Sequence, residues 1–407
     1  MSKTLLLIGG GVEAIPVIKR AKAMQLHAIV ADGDTNAPGR QYADAFWIIS
    51  TYDALAMAKQ ALAAHHGGHP IHGVLAACAD VPLTVAVVAQ ALGLPGPSIH
   101  TGFLTSDKLA MKTCLHEAGV PIPWFAAVTS VDMLHGYVAR YGYPLVLKPV
   151  DSRGARGVLR LTSDTNLAWA YVYSQQFSPS GHVMVEQFLP GPQISTESIL
   201  CAGWAETPGC IDRNYVKLEA YAPHMIEDGG EQPTALSSAD HAAVCTVAEQ
   251  AAHALGIYRG TAKGDVVLTK SGPKVIEIAA RLSGGWMSTR QIPLATGVDM
   301  VGIAIRLALG EDVTRDEAIP KYHKGIAIRY FWPAPGRSNG IKGMYAARAF
   351  DGIVQLDVGV KSGDIIPVVT NHTQRAGYVI TTGATRDEAV ARAEAVVRMV
   401  HIDMETA

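Results

Sequence analysis

The sequence predicts an α/β protein that opens with a parallel sheet joined by helices, continues to a long β-rich hairpin and closes on an α+β cap. Three observations carry this. Apolar runs and amphipathic helical patterns alternate over the first 97 residues, a long β-rich hairpin occupies Gly260 to Arg290, and short strands with one closing helix fill Gly325 to Met404. Alternation of the first kind predicts parallel strands joined by crossover helices.

The opening β-α-β unit has a strand at Thr4 to Ile8, then Gly9-Gly10-Gly11, a helical pattern through Gln25 and a strand at His27 to Ala31. Gly9, Gly11 and Ala14 fit the G-x-G-x-x-A form of the dinucleotide fingerprint, with Asp32 where a ribose-binding acid would stand. A tight turn between any parallel strand and its helix selects the same glycines. Further units follow as strand Phe46 to Ile49, helix Asp53 to Ala64, strand Gly73 to Ala77 and helix Val81 to Leu92. His65, His66, His69 and His72 are interspersed with Gly and Pro and read as a loop rather than a metal cluster.

Gly93 to Ser98 breaks the pattern. Thr105-Ser106-Asp107-Lys108 then caps a helix ending near Gly119, and Trp124 to Val128 forms a strand. Lys148 ends the apolar run Tyr143 to Pro149, directly before Asp151-Ser152-Arg153-Gly154-Ala155-Arg156-Gly157. Such a loop can wrap phosphates through backbone amides and charge, and it also reads as a basic surface hairpin. It lacks G-K-[ST], so it is no Walker A loop. Val183 to Gly191 is a strand running into a Pro-Gly bend, and Gln193 to Leu200 alternates like another strand. Ala222 to Leu236, rich in Pro, Gly and acids, predicts a mobile or substrate-facing loop. Asp240 to Leu255 and Gly297 to Gly310 predict helices, and Arg386 to His401 closes the chain.

In the hairpin, Gly264 to Thr269 and Lys274 to Ala279 flank Lys270-Ser271-Gly272-Pro273. Asp265 and Glu277 sit inside its apolar strands, where an unpaired charge is costly, so a cation should compensate them. Facing carboxylates suit Mg²⁺, which completes its shell with phosphate oxygens. A hairpin whose acids lie on an exposed edge is the competing reading. Arg281 follows four residues after Glu277, and Ser283-Gly284-Gly285 lets backbone approach a ligand closely.

Length and composition bound these readings. A chain of 407 residues exceeds one hydrophobic core and predicts two to four units. The hydrophobic fraction of 49% against 17% charged residues indicates a well-cored globular protein, and a net charge of −2 argues against a general polyanion-binding surface. Cys78, Cys114, Cys201, Cys210 and Cys245 show no C-x-x-C spacing, which predicts reduced thiols in a cytoplasmic protein and neither a disulfide framework nor a zinc site. No signal segment and no apolar run of 18 residues is present, so secretion and membrane spanning are not expected.

Taken in order, Ser106-Asp107-Lys108, Tyr143 to Lys148 with its glycine loop, Val185-Glu186-Gln187-Phe188-Leu189, and Asp265 with Glu277 twelve positions later resemble the ATP-grasp superfamily over nearly the whole chain. The Glu277-Ile278-Ala279-Ala280-Arg281-Leu282-Ser283-Gly284-Gly285 run is most similar to the carboxylate-amine ligases akin to L-amino-acid (dipeptide) ligases. The resemblance implies an ATP-grasp fold divided as 1–97 (N-terminal doubly wound parallel-sheet domain), 98–182 (linker helix and small lysine-bearing lid), 183–320 (nucleotide- and metal-binding subdomain) and 321–407 (cap).

It also implies ATP and Mg²⁺ as cofactors, with Mn²⁺ able to substitute. Lys108 and Lys148 would contact ATP phosphates, with Ser152, Arg153, Gly154 and Gly157 closing over them. Glu186 and the backbone at Gln187 and Leu189 would hold adenine, and Gln193 or Glu197 would meet ribose. Asp265 and Glu277 would ligate the metal, and Arg281 with Ser283, Gly284 and Gly285 would meet the substrate carboxylate and its acyl phosphate. The implied partners are small carboxylates and amines, amino acids above all, without nucleic acid or membrane, and a homodimer is admitted. Relatives often show E-x-N-x-R, and Ala279 removes that oxygen ligand, which leaves one or two metals open. Biotin carboxylases and formate-using purine ligases share the scaffold. A dinucleotide-dependent oxidoreductase would leave the lysines, glycine loop and acid hairpin unexplained, and Ala279 motivates the remaining alternative of a nucleotide-binding sensor without catalysis.

Overall fold

The structure is a computed structural model describing residues 2–76 and 78–405. Its secondary structure is mixed α/β, and the chain forms two compact units, each drawing on several stretches. Unit 1 holds the chain through Ile122, Ser195–Cys210 and Ser237–Tyr322. Unit 2 holds Pro123–Ile194, Ile211–Leu236 and the chain from His323.

Unit 1 begins with a parallel sheet in the order Ala45–Ile48, His27–Asp32, Thr4–Ile8, Gly73–Ala76. Every side chain from Thr4 to Ile8 is buried, as expected of a central strand covered on both faces. Leu6 and Ile8 join Met57 and Val85 in one core cluster, so the helices Ala54–His66 and Pro82–Leu92 are held by apolar packing. Ala77, expected as the end of the fourth strand, lies outside the described residues. The unit's second sheet contains the hairpin strands Gly260–Thr269 and Gly272–Ala279 beside Gln193–Cys201 and Trp204–Arg213, strands that continue into unit 2 at one end. The helix Ser238–Ala254 covers the hairpin.

Two early readings change here. The helix after Asp53 runs through His66, so His65 and His66 form its last turn. His65 Nδ1 accepts from the Ile71 amide and His72 Nδ1 from the Thr4 amide, which gives these rings structural work. In the Gly9–Gly11 turn, both Asp32 oxygens accept backbone amides, from Gly10 at 2.7 Å and Asp34 at 2.9 Å. Gly39 donates to Gly10 O at 2.7 Å, bringing the short helix Pro38–Tyr42 against the turn. The space and the acceptor that a dinucleotide needs are taken by the chain itself.

Unit 2 contains an antiparallel sheet in the order Phe125–Val128, Val183–Gln187, Leu145–Pro149, Leu159–Leu161. The helices Val131–Tyr141 and Leu167–Gln176 contribute Leu134 and Ala170 to its core. A second antiparallel sheet orders Gly229–Gln232, Gly325–Phe331, Gly377–Gly383 and Ile353–Val358, packed on the closing helix Arg386–Met399 through Ala389, Ala393 and Val396. The segment Ala222 to Leu236, expected as a loop, therefore carries a buried strand. Its glycines are the reason. Gly229 has φ +121°, and a Cβ there would stand 2.0 Å from Ile328 O. Composition reads as a loop what close strand approach requires. Helix Met300–Ala308 starts later than the expected Gly297, because Asp299 caps it by accepting from Gly302 N at 2.9 Å.

Gly229→Ala places a methyl group against the neighbouring strand at a φ that side chains rarely adopt. Destabilisation by more than about 1 kcal/mol is expected, read as a lowered urea midpoint.

Candidate active site

In unit 1 the hairpin turn Lys270-Ser271 is closed by Thr269 Oγ1, which donates to Gly272 O at 2.8 Å, with Gly272 at φ +106°. This register sets Asp265 opposite Glu277, so both carboxylates emerge on one face. The pairing slips by one residue just beyond them, a bulge of the kind that re-aims side chains. Ser195 Oγ donates to Asp265 Oδ1 at 2.6 Å, and Lys263 forms an ion pair with the same carboxylate. Lys108 Nζ lies 3.4 Å from Glu277 Oε1. Asp107 accepts from Ala110 N as the helix cap, which fixes Lys108 in the first turn. The acids are thus compensated by two ammonium groups. As hard oxygen donors in cross-strand register, they also fit a divalent cation that shares its shell with phosphates. Ala279, two residues on, offers no oxygen.

Arg281 leaves the hairpin strand and donates from Nε to Asp80 Oδ1 at 3.0 Å and from Nη1 to Leu282 O at 3.1 Å. Burial opposes its charge, but Asp80 outweighs that and raises the guanidinium above its ordinary value. Among the described residues Nη2 carries no hydrogen bond, which leaves one donor for an added anion. The loop that follows is fixed from three sides. Glu197 is fully buried and accepts from Ser283 N at 3.1 and 3.3 Å, and the Ser288 hydroxyl stands 2.7 Å from both its oxygens. Burial pushes this carboxyl up, and the Ser283 and Ser288 donors pull it back. Trp286 N donates to Glu13 Oε2 at 3.0 Å, and Gln291 Nε2 donates to Gly285 O at 2.7 Å.

Cys78 and Trp286, both non-glycine residues at φ +61°, lie around this loop, and such left-handed geometry is stored where the surroundings impose it. Ser283 Oγ is buried without a hydrogen-bond partner among the described residues. A buried hydroxyl in that state calls for an added group. Glu197 was one of two residues expected at ribose. Its oxygens are engaged by Ser283 and Ser288, which makes it a support of the loop.

Unit 2 supplies the lysine and the glycine loop. Lys148 is buried in an ion pair with Glu186 from the adjacent strand, so the carboxylate expected at adenine is engaged by the lysine. Gln187 N donates to Trp124 O at 2.9 Å, anchoring the Pro-Gly bend that carries Leu189. In the glycine loop, Gly154, Ala155 and Gly157 all have positive φ. Asp151 holds its base, accepting from Ser178 Oγ at 2.6 Å and Ser180 N at 2.9 Å. Arg156 Nε donates to Arg153 O at 3.0 Å, and Ser152 is buried. His372 N donates to Gly154 O at 3.1 Å, tying the loop to the C-terminal part of the same unit.

That tie leads to a network the sequence did not reveal. Glu227, fully buried, pairs with Arg213 and with Arg375 Nη2 at 2.7 Å, accepts from Gly229 N at 2.7 Å, and donates its own amide to His372 Nε2 at 3.2 Å. Burial works to raise the Glu227 carboxyl, but Arg213 and Arg375 hold it below the ordinary range. Burial, with Arg375 beside it, pushes His372 down to about 3, which keeps the imidazole neutral and able to accept that amide. Next to it, Asp228 accepts from Trp332 Nε1, and Arg375 lies 3.6 Å over the Tyr330 ring. The only sequence signal was an acidic pair inside a glycine-rich stretch.

Comparison with known proteins follows the same architecture. The family model described as "ATP-grasp domain" matches residues 105–285, and that described as "L-amino acid ligase C-terminal domain 2" matches residues 329–405. A Sinorhizobium fredii protein designated y4rH is 28% identical over 325 residues, 78% of this chain, and the chain spans 65% of that protein, just under two thirds. The L-amino acid ligase of Bacillus licheniformis superposes with a TM-score of 0.83 at 21% identity, covering 100% of this chain and 99% of that one. The biotin carboxylase domain of the Hydrogenobacter thermophilus 2-oxoglutarate carboxylase, solved with MgADP, ADP and bicarbonate, superposes with a TM-score of 0.73 at 18% identity, over 99% and 91% of the two chains. At these identities the structural likeness is one of fold. No helix among the described residues is long and apolar enough to cross a membrane.

Glu227→Gln leaves Arg213 and Arg375 without their buried counter-charge and is expected to destabilise by about 3–5 kcal/mol at neutral pH. Because the folded carboxyl titrates below its ordinary value of 4.5, its contribution is complete above that value and disappears as pH falls through the folded one. Urea unfolding of both proteins across acidic pH should show the difference closing on that descent.

Proposed function

We propose that this chain, whose residues 105–285 match the ATP-grasp domain model, is an ATP-dependent carboxylate-amine ligase that joins two amino acids through an acyl phosphate, releasing ADP and phosphate. The observation that carries the proposal is the spacing at the end of one strand. Glu277 faces Asp265 beside Lys108, and Arg281 follows four residues later with one guanidinium nitrogen uncommitted. Phosphate-directed and carboxylate-directed groups then stand in sequence along a single backbone segment. The match of residues 329–405 to the L-amino acid ligase C-terminal domain supports amino acids as the substrate class.

In the first step a carboxylate oxygen of the acid attacks the γ-phosphorus of ATP. The new O–P bond forms as the bond to ADP breaks, giving the acyl phosphate. Asp265 and Glu277 would hold Mg²⁺, or Mn²⁺ in its place, which would supply charge neutralisation at the phosphates. The protein's own part is positioning and charge complementarity. Lys108 supplies a cation at the phosphates, while Arg281 Nη2 and the Ser283 hydroxyl orient the carboxylate and the acyl phosphate. From unit 2, Lys148 and the loop from Ser152 through Arg153 and Gly154 to Gly157 are assigned to the phosphates. The backbone at Gln187 and Leu189 is assigned to adenine, and Gln193 to ribose. In the second step the amine nitrogen attacks the acyl carbon, the amide bond forms, and phosphate leaves carrying the amine's proton. Glu197 acts through the loop it supports.

Glu277→Ala is expected to abolish ADP release over a panel of amino-acid pairs while circular dichroism stays unchanged. Retained turnover would remove the metal assignment. Arg281→Met should keep ATP binding and raise KM for the carboxylate substrate about tenfold to hundredfold, the range of a charge-assisted hydrogen bond. An unaltered KM would remove its role. Product masses from the same panel identify the acid and the amine, and absence of any amide product with any pair refutes the amino-acid assignment.

A further inference from the structure

Outside this site, unit 1 gathers three soft ligand atoms that the sequence keeps apart. His241 and Cys245 lie one turn apart on the helix Ser238–Ala254, so their side chains share a face. Cys210, near the end of the strand Trp204–Arg213, meets that face. Cys210 Sγ and Cys245 Sγ are 3.5 Å apart, Cys245 Sγ and His241 Nε2 are 3.6 Å apart, and all three ligand atoms lie within 4.8 Å of one another. No disulfide joins the two thiols.

We propose that Cys210, His241 and Cys245 form a binding site for a zinc ion, with two thiolates and one imidazole as ligands and a fourth position left to water or a small ligand. The geometry carries it. A tetrahedral zinc with Zn–S near 2.3 Å and Zn–N near 2.0–2.1 Å separates two sulfurs by about 3.8 Å and a sulfur from a nitrogen by about 3.6 Å. The Cys210–Cys245 and Cys245–His241 distances agree with these to within a few tenths of an ångström. Ligand chemistry selects the metal, because thiolate with imidazole suits zinc, whereas Mg²⁺ takes oxygen. Access is present too, with Cys210 buried and His241 and Cys245 half-buried, so an ion can enter from the helix side. One turn further along the helix, Glu249 accepts from Thr207 Oγ1 at 2.7 Å, which fastens helix and strand together and holds the ligands in register.

The test uses the full-length protein, reduced and freed of metal, titrated with Co²⁺ in excess Mg²⁺ so that oxygen sites are occupied. One equivalent of Co²⁺ should give a near-ultraviolet thiolate-to-metal band, and Zn²⁺ should displace it. Cys245→Ser and His241→Asn should each weaken Zn²⁺ affinity at least about tenfold against a chromophoric chelator, with the helical circular dichroism unchanged, while Cys114→Ser binds as the parent does. Absence of the band in the parent, or a band surviving both substitutions, overturns the site. Recovery of Cys210 and Cys245 as a disulfide whose reduction restores no metal binding overturns it as well. Because none of these readouts uses turnover, the result is independent of the ligase assignment.

Discussion

The loop from Arg281 to Trp286 depends on one buried carboxyl. Glu197 sits in the interior of unit 1 with its oxygens spent on Ser283 and Ser288, groups from the chain that immediately follows the hairpin. A carboxyl so deeply placed is tolerated only because those donors replace water, and the same donors are thereby fixed in space. Asp80 orients the Arg281 guanidinium, and Glu13 takes the Trp286 amide. Three acids from distant parts of the chain thus make a rigid turn from a segment containing two consecutive glycines. Rigidity there would serve the proposed phosphoryl and acyl transfer, in which positioning is most of what a protein contributes.

Unit 2 repeats the principle with opposite electrostatics. Glu227 is equally buried, but two guanidiniums surround it, so its charged form is favoured where that of Glu197 is opposed. Through His372 the network reaches Gly154 O and so the glycine loop that follows Asp151. Each unit therefore uses a buried acid to hold a glycine-containing loop whose own residues would not hold it.

Much of the architecture was legible because it follows local rules. The parallel strands and their helices follow from apolar periodicity, and the opposition of Asp265 and Glu277 follows from a hairpin with a short turn. What escaped were pairings without local cause. Asp80 and Arg281 are 201 positions apart, and Glu227 and Arg375 are 148 apart. Nothing in the composition near either acid names its partner. The strand Gly229–Gln232 was hidden for a different reason, since the glycines that let it approach Ile328 are the residues that ordinarily mark a loop. The clustering of Cys210 with His241 and Cys245 was hidden likewise, because the helical period joins two ligands and only the tertiary fold brings the third.

The lysines beside the paired acids have an effect on the order of events. Lys108 and Lys263 give Glu277 and Asp265 one positive charge each, so the hairpin is electrically balanced before any ligand arrives. A lone divalent cation would enter a place already neutral and crowd two ammonium groups. A cation carried in on a polyphosphate brings those ammonium groups the anions they need, so the charge count favours joint arrival of metal and nucleotide over stepwise loading. The resting protein would then be poorly receptive to free metal, and selective for the metal–nucleotide complex proposed as its substrate.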